Sequence, residues 1–200
     1  MKGSLIIVGF FVLGTICGVC HLLPFDIAET NISYYALCAL MFSVGLSVGN
    51  DPQTLKNFRS LNPRLVFLPI MTILGTLAGS AAVSLILTHR SITDCLAVGS
   101  GFGYYSLSSI FITKYKGAEL GTIALLANIS REILTLLAAP LLVRWFGNLA
   151  PISAGGATTM DTTLPIITRT AGQQFVVVSI FHGFVVDFSV PFLVTLFCSI

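Results

Sequence analysis

Long apolar runs separated by short polar connections dominate the chain, and crossing the roughly 30 Å hydrocarbon layer takes about 20 apolar residues in one helix. Uniform runs at 4–22, 32–48, 65–87, 120–146 and 175–199 predict membrane helices. Two further segments, 93–113 and 150–170, are apolar overall but carry clustered glycines and hydroxyl side chains. The pattern predicts an all-α, polytopic membrane protein of about 6–7 membrane segments, two of them discontinuous helices. It further predicts a single membrane domain over 1–200, made of a three-span unit at 1–90 followed by units at 91–148 and 149–200.

The second interrupted segment reads AGGATTMDTTLPIITRT over 154–170. Gly155, Gly156 and Pro165 each weaken a continuous helix, and Asp161 is costly in hydrocarbon. Non-helical backbone at membrane depth survives only where protein covers it or it lines a wet cavity. A helix break at Asp161, forming half of a transport site, is the expectation. The first interrupted segment packs Gly99, Gly101 and Gly103 among Ser100, Tyr104, Tyr105, Ser106, Ser108 and Ser109. Small residues there suit either close helix packing or an unwound crossing whose backbone and hydroxyls replace a solute's water. Set side by side, Gly101 meets Gly155, Leu107 meets Asp161, and Arg131 meets His182 in a weak repeat. Paired interruptions in two halves point to a transporter's binding site.

Composition narrows the class. Hydrophobic residues make up 55% and charged residues 9%, against about 25% charged in soluble domains, and mean hydropathy is +0.95. The formal net charge of +2 is small and scattered, so no nucleic-acid partner is expected. Cys17, Cys20, Cys38, Cys95 and Cys198 lie in apolar runs, an odd set that argues for packing rather than a disulfide framework or a metal site. The opening MKGSLIIVGFFVLGTICGVC imitates a secretory signal, but no A-x-A-like cleavage site follows, so it is expected to stay as the first span. If every segment crosses, Lys2, the Lys56/Arg59/Arg64 connection and Lys114/Lys116 share one side, with Arg90 and Arg144 opposite. The basic excess then puts the N-terminus in the cytoplasm.

Charged and polar groups at presumed membrane depth are the candidate chemistry. Asn128, Arg131, Glu132 and Thr135 follow i, i+3, i+4, i+7 and make one polar stripe. Arg131 is expected to find Asp161 as partner. His182 fits equally as a packing residue or a ligand, Asp187 as a cap on a connection, and Arg169 as an interfacial side chain that snorkels. Acids outnumber Arg131 at depth, which favours a cationic or zwitterionic solute, while helix N-termini at the breaks suit its carboxylate. Two other classes stay open. Ser106 or Ser108 with His182 and an aspartate could make an intramembrane hydrolase, although no G-x-S-x-G elbow is present; the chain could also be a structural subunit. No enzyme activity, cofactor or metal is expected.

At these residues the chain resembles the lysine exporter (LysO) family. The resemblance rests on SGFGYYSLSSI (100–110), on Asn128 with Arg131-Glu132, on GATTMDTTLP (156–165), on Arg169-Thr170, on His182-Gly183-Phe184 and upstream on Val44-Gly45-Leu46. It implies an exporter of L-lysine in the bacterial inner membrane, driven by a proton or ion gradient; alternating access is the mechanism expected of it here. Residues and resemblance together give an expected substrate site of Asp161, Glu132, Arg131, Asn128, Gly101, Gly103, Tyr104, Ser106, Thr158, Thr162 and His182. Two departures stand out. Some members have aspartate where this chain has Asn128, and the long single-chain members carry a further N-terminal membrane unit. The resemblance therefore implies, besides lysine and lipid, a small separate membrane protein or a second copy of the chain as partner.

Overall fold

The structure is a computed structural model, and it describes residues 63–87 and 89–200 together with scattered helical positions at 13, 16, 17, 35, 39, 42 and 46. The expected spans at 4–22 and 32–48, the retained N-terminal segment and the basic residues Lys56 and Arg59 lie outside the described residues, apart from those scattered positions. The chain divides into two compact units, Met1–Ser43 and Val44–Ile200. The second holds all the elements that follow.

A 3-10 turn at Pro63–Phe67 leads into α1, Leu68–Ser84. Next come α2, Ile92–Gly99, and α3, Tyr105–Lys116. The long α4 spans Ala118–Phe146. Beyond it lie α5, Ala150–Gly155, a 3-10 turn at Gly156–Met160, and α6, Leu164–Ala171. A 3-10 turn at Gln173–Phe175 opens α7, Val176–Ser199. Every regular element among the described residues is helical. Three stretches, Leu65–Ser84, Ala118–Phe146 and Gln173–Ser199, are long and apolar enough to span a bilayer. The polytopic all-α expectation holds in these three, and this is an integral membrane protein.

Local chemistry explains the ends. Ser91 caps α2, its hydroxyl accepting from the Asp94 N–H at 3.1 Å. α4 carries Glu119 in its first turn and Arg144 in its last, each favourable against the helix dipole. Large apolar side chains such as Met71, Leu74, Leu137 and Phe192 stay exposed. That arrangement suits a surface solvated by lipid rather than water.

Both interrupted segments double back. Arg90 is ion-paired with Glu119, and Lys116 Nζ lies 3.6 Å from Asp94 Oδ1, so the start of α2 and the α3–α4 turn occupy the same end of the bundle. Farther in, Asn128 Nδ2 donates to the Val98 carbonyl at 3.2 Å, which makes α2 run parallel to α4 up to its middle. From there α3 returns. The second segment mirrors this from the other end: Ile152 of α5 clusters with Ile167 and Ala171 of α6 and Val178 of α7, against Val143 and Leu149. This corrects the charge grouping expected from full crossings. Lys114 and Lys116 sit with Arg90, while Arg144 lies at the opposite end near the close of α6, where Arg169 is exposed. The physical reason is length: α2 is 8 residues and α3 is 12, about 12 and 18 Å of rise, neither enough to cross a hydrocarbon layer of roughly 30 Å.

Candidate functional site

The two helix interruptions touch at the centre of the bundle. The Ala157 N–H donates to the Phe102 carbonyl at 2.9 Å, joining one turn to the other by a backbone hydrogen bond. Phe102 is fully buried with φ of +46°, a left-handed conformation costly for a bulky residue. Gly156, at φ +61°, lies so close to the Phe102 carbonyl that any side chain there would collide with it. Contact between the breaks thus requires glycine at 156.

The middle of α4 fastens both turns. Asn128, 3% exposed, accepts from the Gly103 N–H at 2.7 Å and donates to the Val98 and Ala124 carbonyls at 3.2 and 2.9 Å. Its amide is thereby fully engaged on the first turn and on its own helix. One turn on, Arg131 Nε donates to the Ala154 carbonyl at 2.8 Å, Nη2 to the Ser153 carbonyl at 3.0 Å and Nη1 to Thr76 Oγ1 at 3.3 Å. Its guanidinium carbon also stands 6.0 Å from the Phe102 ring centroid. The expected Arg131–Asp161 pair is not formed. Because α5 stops at Gly155, its last carbonyls lack helical donors, and a cation at a helix C-terminus satisfies both them and the dipole.

Asp161 follows the second 3-10 turn on the exposed side. Its Oδ1 accepts from the Thr162 N–H at 2.5 Å and lies 3.4 Å from the Thr162 hydroxyl. Thr158 turns inward: its hydroxyl donates to the Gly155 carbonyl at 2.9 Å and lies 3.2 Å from Thr163 Oγ1. Buried His182 is held between Thr159 Oγ1, 3.3 Å from Nδ1, and Thr72 Oγ1, 2.9 Å from Nε2. Thr159 has one hydroxyl proton and two carbonyls, Gly156 and Ser179, within 2.9 Å. It therefore accepts from Nδ1–H, and Nε2 accepts from Thr72.

The remaining expected residues divide. Gly101 and Gly103 form the first turn, with Tyr104 at the start of α3. Glu132 is half-buried on α4 and makes no ion pair or hydrogen bond with the described residues. Ser106 is exposed, and the Ser108 hydroxyl donates to the Tyr104 carbonyl at 2.8 Å; neither serine reaches His182. A groove of about 560 Å³ between α1, α2 and α4 runs from Arg90 and Asp94 to Asn128 and Arg131, on a different side from Asp161.

A protein-family model described as the lysine exporter LysO matches residues 8–198. The chain belongs to the lysine exporter LysO family. It is 36% identical over 196 residues to "Lysine exporter LysO" of Escherichia coli (strain K12), covering 98% of this chain and 64% of that protein. It is 34% identical over 196 residues to a "Putative lysine exporter" of Haemophilus influenzae, covering 98% of this chain and 96% of that one. No solved structure matches the chain.

Within this family member, sequence reasoning left Asp187 out of the expected site, as a cap on a connection, and passed over the two α1 threonines. Asp187 is 5% exposed, inside α7. Thr72 and Thr76 sit in a run that reads as uniform membrane helix, and only the packing of α1 against α7 and α4 gives them His182 and Arg131 as partners.

Proposed function

We propose that this protein exports L-lysine across the bacterial inner membrane by alternating access, with Asp161 binding an ammonium group of the solute. The observation that carries the reading is the meeting of two helix interruptions at mid-bundle with an aspartate at one of them. Interrupted helices at membrane depth are where transporters bind solute and coupling ions. Asp161 Oδ1 takes the Thr162 N–H, and Oδ2 has no partner among the described residues, leaving it open to an ammonium. α3 begins without a side-chain cap, so its N-terminal amides suit the substrate carboxylate. Gly101, Gly103, Tyr104, Ser106, Thr158 and Thr162 shape the space between, and Glu132 adds negative potential.

In this reading the breaks are discontinuous membrane segments, and the units 91–148 and 149–200 are inverted repeats. The end bearing Arg144 and Arg169 faces the cytoplasm, as does the N-terminus. A proton or ion gradient drives export by protonating a carboxylate to release the solute. A further membrane unit, on a separate small protein or a second copy, completes the transporter. The E. coli and H. influenzae relatives named as lysine exporters support the substrate.

Lysine efflux from preloaded cells lacking their own exporters tests the assignment. Asp161→Asn should lower the rate by about tenfold or more, the worth of a charge-assisted contact, at unchanged membrane abundance. Wild-type efflux from that variant would falsify the site. Should a different amine leave the cells in place of lysine, the protein is an exporter of another cationic solute.

A further inference from the structure

We propose that Asp187 is a second substrate-binding carboxylate, which together with Asp161 and the Tyr104 phenol accommodates the two ammonium groups of a diammonium solute. The inference rests on the export reading and extends it from one charge to two. Asp187 lies midway along α7 and is 95% buried by its 5% exposure, yet it makes no ion pair or hydrogen bond with any described residue. Among the described residues no side-chain nitrogen or oxygen is both sealed and unpartnered. The Asp187 oxygens are therefore not sealed within packed protein.

The neighbours of those oxygens follow from the course of α7. Gly183 presses against the second turn, where a side chain would come within 2.7 Å of the Met160 nitrogen and 2.9 Å of the Met160 Cβ. Met160 immediately precedes Asp161. Asp187 is four residues beyond Gly183, on the same helix face and about 6 Å farther along. It thus stands one turn from the backbone that carries Asp161. Electrostatic coupling among Asp187, Asp161 and Tyr104 agrees with this placement.

Two neighbouring carboxylates repel, and burying one without a cation is expensive. Of the basic groups at this depth, Arg131 is already spent on Thr76 and two carbonyls. The complement the site lacks is a pair of mobile positive charges. A solute with one ammonium neutralises one acid, and a solute with two neutralises both.

Binding to the protein purified in detergent together with the membrane unit that completes it, in sodium-free buffer, tests this with L-lysine and Nε-acetyl-L-lysine, which differ by one charge. Wild type should prefer lysine by about tenfold or more, the worth of one charge-assisted contact. Asp187→Asn should bring the two affinities together while still binding the acetylated ligand, which shows that the variant is folded. Asp187→Glu should restore part of the preference. An unchanged preference in Asp187→Asn overturns the proposal and leaves the export reading standing. Equal wild-type affinities overturn it as well, and absence of lysine binding by wild type overturns both.

Discussion

Arg131 shows how one side chain can fasten an interrupted helix to two of its neighbours. Its three donor groups reach two carbonyls at the end of α5 and a hydroxyl on α1, and no planar fork of that kind is available to lysine. Arg131→Lys should therefore behave almost as badly as Arg131→Met, each lowering the melting temperature of the detergent-solubilised protein by several degrees. That follows from losing contacts of about 1.5–3 kcal/mol apiece to a charged donor. Asn128→Ala should cost about 1–3 kcal/mol by stranding the Gly103 N–H and the Val98 carbonyl, read in the same melt. That these two residues matter was legible from their spacing on one stripe of α4. Their partners were not, because backbone carbonyls freed by a helix ending leave no mark in side-chain chemistry. Sequence reasoning looked for an acid to match Arg131 and found Asp161, when an interrupted helix had already supplied the acceptors.

At the scale of elements, the interruptions were readable from Gly155, Gly156, Gly101 and Gly103, and the long helices from their apolar runs. Whether each interrupted segment crossed or returned was not, since a glycine permits either course and only the Arg90–Glu119 and Asp94–Lys116 pairs decide it. The returning course has a direct check. Single cysteines placed at Ser91 and Tyr115, in a cysteine-free background, should react with a membrane-impermeant maleimide from the same side. Cysteines at Asn148 and Gln173 should react from the other. Labelling of residues 91 and 115 from opposite sides would restore the full crossing. Gly183 belongs to this scale too: Gly183→Leu should force α7 off the Gly156–Met160 turn and abolish efflux even though no charged group is altered.

For the whole molecule, the described bundle consists of three long helices around two short hairpins entering from opposite ends. The sequence carries this plan only as a faint likeness between 91–148 and 149–200, and units that share a shape need not share residues. One feature of the plan bears on movement. The Phe102 carbonyl and the Ala157 amide tie the hairpin tips together in a dry interior, where a broken bond finds no water to replace it. In the export cycle proposed above, tips coupled in this way would travel as a single rigid holder, and exposure to either compartment would come from sliding that holder against the surrounding helices. Spin labels on the two tips should keep one separation throughout the cycle, while the distance from either tip to α1 changes with the side that is open.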